Sequence, residues 1–183
     1  MTCAVRQATP KDAAGLAQVQ VESWRSTYRG IVPDAFLAEM DAATLARRWT
    51  AQWADVAGHI FVAVDGDNAE RVCGFACGGK IRLPVEKYDG ELYAIYLLQE
   101  KQRQGVGRQL VMALAESLGA AGFESLLVWV LEANPALGFY ERMGAERVTR
   151  KTIDIGGVDL PEVALGWVTM PRILNRETRI FME

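Results

Sequence analysis

Apolar positions along the chain recur at two periods, and the change from one to the other divides the sequence. Ala4 to Ala8 reads as a short opening strand. Asp12 then opens a helical pattern, with Leu16, Val19 and Val21 on or near one face and a continuation towards Trp24 and Tyr28. Pro33-Asp34 starts a second, short helix carrying Phe36, Leu37 and Met40. Asp41 is placed to cap a third, in which Leu45, Trp49 and Trp53 recur at spacings of four. From Ile60 the period falls to two. Ile60 to Val64 and Val72 to Cys77 flank Asp65-Gly66-Asp67-Asn68, a turn signal, so the pair predicts a hairpin.

Leu92 to Leu98 is apolar throughout, the pattern of a central strand buried on both faces. A helix follows from Val106, with Leu110, Ala113, Leu114 and Leu118 on one face and Gly119 near its stop. Leu126 to Leu131 is a second central strand, and Pro135 to Met143 a short helix stopped by Gly144. Val148 to Ile155 and Val163 to Val168 flank Gly156-Gly157, a second hairpin. Leu92 to Leu131 therefore forms a βαβ unit inside a sheet that is otherwise largely antiparallel. The fold class is α/β with a mixed sheet. One domain over 1–171 and a C-terminal extension over 172–183 are expected.

Composition narrows the function. The chain has 183 residues, half of them apolar and 23% charged, with mean hydropathy +0.04. That is a globular composition, and the length allows burial of roughly 70% of the unfolded surface without cross-links. Lys and Arg number 20 against 23 Asp and Glu, a net charge of −3, whereas a general nucleic-acid binder would carry a basic excess. No apolar run is long enough to predict a membrane span. Met1 to Arg6 has no apolar signal-peptide core, so the cytoplasm is the expected compartment. Cys3, Cys73 and Cys77 form an odd set without a CxxC pair and read as thiols, the last two buried in a strand. The single histidine, His59, precedes a strand and reads as structural. No metal is expected.

The richest segment runs from Leu97 to Arg108. A buried strand ends, a polar loop with Lys101 and Arg103 follows, and Gly105 and Gly107 open an amphipathic helix that also carries Arg108. The first helical amides lack internal partners and carry the positive end of the helix dipole, so the turn suits a di- or polyphosphate. Two familiar alternatives fail. The third glycine of a dinucleotide fingerprint would fall at Leu110, and Gly107 is followed by Arg108-Gln109 where a Walker loop needs Lys and Ser or Thr.

Gln102-Arg103-Gln104-Gly105-Val106-Gly107 fits [RQ]-x-x-G-x-[GA], and Asn134 to Ala145 fits N-x-x-A-x-x-x-Y-x-x-x-G with Gly138 where Ala is common. On these two segments the chain resembles the GNAT superfamily of N-acetyltransferases, over about residues 4 to 168. The Trp24 and Tyr28 region and the segment Glu162 to Trp167 are similar to small bacterial members as well.

The resemblance implies a GNAT-like fold in which two parallel strands, Leu92–Leu98 and Leu126–Leu131, splay apart with acetyl-CoA between them. It implies that backbone groups near Ile95 and Leu97 bind pantetheine. The Ile95 amide would take the thioester oxygen, and Gln102, Arg103, Gln104, Gly105, Val106, Gly107 and Arg108 the pyrophosphate. Asn134 would bond the pantetheine arm and Tyr140 would protonate the departing thiolate. Glu91, 11 residues before Gln102, matches the base of the histone-acetyltransferase branch. Strand parity puts Glu91 with Tyr93 and Ile95, facing the acetyl group. Trp24, Tyr28 and the loop Arg29 to Val32 would line the acceptor side. The expected reaction is direct attack of a primary amine, on a small molecule or peptide, upon acetyl-CoA. The resemblance also implies pairing into homodimers. Two rival readings are a non-catalytic acyl-CoA sensor, against which Tyr140 argues, and a nucleotide-binding regulator using the Gly105 loop.

Overall fold

Among the described residues, seven strands form one mixed sheet, in the spatial order β1-β2-β3-β4-β5-β7-β6. The computed structural model describes residues 3–56, 58–66, 68 and 71–170; the expected extension 172–183 and Asp67 of the expected turn lie outside them. The strands are β1 Ala4–Gln7, β2 Ile60–Val64, β3 Val72–Lys80, β4 Gly90–Leu97, β5 Leu126–Leu131, β6 Glu146–Ile155 and β7 Val158–Trp167. The helices are α1 Ala13–Thr27, α2 Asp34–Glu39, α3 Ala42–Ala51, α4 Trp53–Val56, α5 Val106–Ala120 and α6 Leu137–Arg142.

Local chemistry sets the helix starts. Asp41 caps α3 by accepting from the Thr44 amide at 2.7 Å. Asp12 accepts from the Thr9 amide at 2.7 Å and takes both Arg6 guanidinium nitrogens at 2.8 Å, tying β1 to the turn that leads into α1. The expected third helix breaks at Gln52, so Trp53 begins the separate turn α4. The helix expected from Pro135 starts only at Leu137. Asn134 Oδ1 accepts from the Ala136 amide at 2.8 Å and holds that stretch as a turn. The last hairpin is longer than the apolar pattern showed, because the exposed outer residues of β6 and β7 still pair, down to Ile155 with Val158.

Two cores form on opposite faces of the sheet. On one, Leu110, Leu114 and Leu118 of α5 pack with Leu92, Leu126, Val128, Leu165 and Trp167. On the other, Leu16 and Val19 of α1 pack with Ile60, Val62 and Phe75. Cys73 and Cys77 face this second core as free thiols, their pKa values pushed up by burial to about 11 and about 12. A third cluster joins α2 to the end of β5 and the last hairpin through Val32, Leu37, Leu131 and Ile155. His59 bonds Ser117 Oγ at 2.9 Å and meets the Phe123 ring edge-on, so it ties β2 to α5.

The parallel pair is β4 with β5, and it is short: Gly90 with Leu126, Glu91 with Leu127, Leu92 with Val128. Asp89 clamps its closed end. The carboxylate accepts from the Ser125 amide at 2.9 Å, the Ser125 hydroxyl at 2.6 Å and the Glu124 amide at 3.0 Å. Beyond Leu92 and Val128 the strands part. β4 continues to pair only with β3, as far as Leu97, and β5 only with β7, as far as Leu131.

Candidate functional site

The fork between β4 and β5 leaves one ladder edge open on each strand. This corrects the expectation of full burial: Tyr93 to Leu97 are half-buried, because no strand covers them on the β5 side. A β-bulge sharpens the opening. Cys77 stands opposite Ala94 and Gly78 opposite Leu92, so Tyr93 has no partner on β3. The extra residue shifts side-chain parity. Leu92, Ile95 and Leu97 pack towards α5, while Tyr93, Ala94 and Tyr96 pack towards the α1 side. Glu91, Tyr93 and Ile95 therefore do not share a face, as simple alternation had predicted.

Glu91 and Tyr93 are joined by Arg82, which the sequence reading passed over. The Glu91 carboxylate, 1% exposed, accepts from the Arg82 amide at 2.9 Å and from Nε at 3.0 Å, and Nη2 completes the pair. The same guanidinium lies 4.5 Å from the Tyr93 ring centroid, and the Tyr93 hydroxyl donates to the Lys80 carbonyl at 2.6 Å. For Glu91 to accept a proton, Arg82 has to leave it first.

Further up the fork, three phenols converge. Tyr140, on α6, is buried with its ring against Phe139 and Trp167. Burial raises its pKa well above the usual phenol range, and the neighbouring Tyr28 raises it further. Tyr96 is raised in the same way by burial, then by Tyr28, with Tyr140 adding to the shift. Tyr28 follows the end of α1. Its ring lies tilted against Trp24 with centroids 4.7 Å apart, and its oxygen accepts from Asn134 Nδ2 at 2.9 Å. The Trp24 indole is directed at Tyr96, close enough to oppose the upward shift, yet without a hydrogen bond of ordinary geometry. Trp24, Tyr28, Asn134 and Tyr140 thus come together as expected from the sequence. Tyr96, and Trp129, the first residue of β5 beyond its last pair with β4, were missed, since both sit in apolar runs that read as buried strand. Nothing in those runs marks the point where the strands part.

The phosphate-type turn lies beyond the end of β4. Gly105 precedes α5 with φ +81°, a left-handed conformation that favours glycine. No side chain caps α5, so its first amides stay available. Gln102, Arg103, Gln104 and Gly105 are exposed, Val106 is buried, and Gly107 and Arg108 are half-buried. Gln102 Nε2 donates to the Leu97 carbonyl at 3.2 Å and Gln104 Nε2 to the Glu100 carbonyl at 2.8 Å, which shapes the loop. Lys101 is a correction. It is buried, with Nζ 3.1 Å from Asp65, and is one of the loop's anchors rather than a cation facing a ligand.

No three His, Cys, Asp or Glu residues gather as a metal site among the described residues. No helix among them is long and apolar enough to cross a membrane.

A mixed sheet forked at its one parallel pair, beside a glycine-started and uncapped helix, defines an acetyltransferase fold. The chain belongs to the Acetyltransferase (GNAT) family, whose description matches residues 19–145. It is 44% identical over 175 residues to an uncharacterized N-acetyltransferase, YuaI, of Bacillus subtilis, covering 94% of this chain and 98% of that one. Among solved structures it resembles PaiA N-acetyltransferase from Thermoplasma acidophilum, in complex with coenzyme A, at TM-score 0.63 and 20% identity over 89% of this chain and 98% of that one. It also resembles a phosphinothricin acetyltransferase from Sinorhizobium meliloti, in complex with AcCoA, at TM-score 0.68 and 21% identity, covering 91% and 88%. The fold and the enzyme class expected from the sequence are borne out.

Proposed function

We propose that the protein is an acetyl-CoA-dependent N-acetyltransferase in which a primary amine, on a small molecule or peptide, attacks the thioester directly within a ternary complex. The observation that carries this is the fork. Among the described residues, the facing edges of β4 beyond Leu92 and of β5 beyond Val128 have no strand partner, and unpaired buried backbone is costly. An extended chain bearing amides fits that slot, and pantetheine is such a chain. Backbone groups of Ile95 and Leu97 hold it, with the Ile95 amide aimed at the thioester oxygen, where negative charge develops. The first amides of α5, with Gln102 to Arg108 around them, hold the pyrophosphate. Asn134 has a second amide N–H besides the one given to Tyr28, and that proton serves the pantetheine arm.

Tyr140 protonates the departing sulfur. A phenol is protonated at neutral pH, so Tyr140 has a proton to give at the moment the thiolate forms. Trp24, Tyr28 and Tyr93 line the acceptor side. Glu91 takes the amine proton once the incoming acceptor has displaced Arg82. Calorimetry with acetyl-CoA, followed by CoA release over a panel of amines, tests this reading, with Tyr140→Phe in parallel. Binding with amine-dependent release that falls in the variant supports it. Failure of a folded sample to bind acetyl-CoA overturns it, and binding without release over the whole panel favours the acyl-CoA sensor.

A further inference from the structure

One of the protein's own amines lies at the mouth of the fork. Trp129 is the first residue of β5 beyond its last pair with β4, opposite Tyr93 in the same position on β4. Val128 and Val130 pack towards α5, so Trp129 points to the other face, the one Tyr93 packs towards. Lys151 of β6 crosses β7 to reach it. Its Nζ stands 4.1 Å from the Trp129 ring centroid and 3.4 Å from Glu162 Oε2, with the lysine side chain 31% exposed and that of Glu162 13% exposed. The chain has five lysines. Lys101 is tied to Asp65 away from the fork, and Lys151 is the one whose ammonium is laid on a fork residue. A ring face and a carboxylate hold it much as an acceptor ammonium would be held.

We propose that Lys151 is a self-acetylation site, modified by the acetyl-CoA bound to its own chain. The inference rests on the acetyltransferase reading. The Lys151 ammonium passes one proton to Glu162, and the neutral amine attacks the thioester carbonyl carbon. The C–N bond forms and the C–S bond breaks, the sulfur leaving with a proton from Tyr140. The amine's second proton goes to solvent, and the proton held by Glu162 restores the Tyr140 phenol by way of solvent. In sum, a lysine ammonium and acetyl-CoA give acetyl-lysine, free CoA thiol and one proton. No oxidant or metal is needed. The product carries no charge, so Glu162 loses its cation and the Trp129 ring is uncovered on the acceptor side.

The test needs no knowledge of the natural acceptor. Purified full chain is incubated with acetyl-CoA alone, intact mass is followed over time, and the modified peptide is mapped. The expected result is one acetyl group per chain at Lys151, at a first-order rate unchanged by dilution, and about 10²-fold slower in Tyr140→Phe. Lys151→Arg, which keeps the cation over Trp129, should bind acetyl-CoA normally by calorimetry and gain no acetyl group. Acetyl groups spread evenly over Lys11, Lys80 and Lys87, or a rate that rises with protein concentration, would overturn the proposal. So would an unmodified Lys151 in a sample shown to bind acetyl-CoA, leaving the acetyltransferase reading intact. Absence of acetyl-CoA binding would remove both.

Discussion

The side-chain amide of Asn134 donates a 2.9 Å hydrogen bond to the phenol oxygen of Tyr28, 106 residues earlier in the chain. One partner follows the end of β5, and the other lies at the end of α1. The bond therefore joins the segment proposed to hold the pantetheine arm to the segment proposed to receive the acceptor. Asn134 is buried, so its amide must be bonded within the protein.

Tyr28→Phe removes the acceptor oxygen and keeps the ring on Trp24. The buried Asn134 N–H then loses its partner, at a cost of about 1–3 kcal/mol. The urea midpoint should fall accordingly, while Asn134→Ala made on top of Tyr28→Phe should cost less than it does alone. A double-mutant cycle with no coupling would show that the bond carries no stability.

The bulge at Tyr93 needs the two strands close together. A Cβ at Gly78 would lie 2.5 Å from the Glu91 carbonyl oxygen and 3.1 Å from Leu114 Cδ2. The first of these is backbone and cannot rotate away. Gly78→Ala should push β3 off β4 next to the bulge and cost about 1–3 kcal/mol in chemical unfolding. It should also weaken acetyl-CoA binding by calorimetry, since the fork edge at Ile95 follows the bulge. Gly105→Ala meets no neighbouring atom but has to adopt φ +81°, so it separates backbone strain from crowding.

Asp89 makes the closed end of the fork sensitive to acid. Burial pushes its pKa up, but the bonds from the Ser125 hydroxyl and the Glu124 and Ser125 amides outweigh burial and hold the carboxyl below its ordinary value. A depressed pKa adds stability above the unfolded value of about 3.9, and that contribution is lost as pH falls through the folded value. Asp89→Ala should lower stability by about 1–3 kcal/mol at pH 7. The gap from the parent should narrow when the urea midpoints are compared near the acid end. A gap that is constant with pH would mean that the ionised form has no special role.

Most of the frame was legible because burial on this sheet follows period. β2 and β5 match their apolar runs to the residue, and α5 starts at Val106, between the two glycines, as expected. The site was legible in part. Asn134, Tyr140, Trp24 and Tyr28 were singled out through the resemblance to the acetyltransferase family, and the Gly105 turn through its loop and helix start. The parity of β4 was not, because the bulge depends on how Gly78 and Leu92 meet across strands and leaves no mark in β4 itself. Arg82 sits in a loop with no periodicity, and its role appears only when Glu91 and Tyr93 are brought beside it. Lys101 misled for the opposite reason: a lysine in a basic loop looks like a ligand until Asp65, 36 residues earlier, is found against it.

Glu91 and Arg82 offer the sharpest test of the proton path. Two guanidinium nitrogens meet one oxygen of a buried carboxylate, so simple loss of the Arg82 side chain would strand a charge at a cost of about 3–5 kcal/mol. Arg82→Lys avoids this by keeping a cation while giving up the two guanidinium nitrogens that both bond Glu91 Oε1. If Glu91 is the base, Arg82→Lys should retain most of the turnover, because the carboxylate is released more readily. Glu91→Gln should cut kcat by about 10²-fold or more while leaving acetyl-CoA binding as it was. Equal losses in the two variants would reduce the pair to a brace for Tyr93 and move the proton transfer to water or to Glu162.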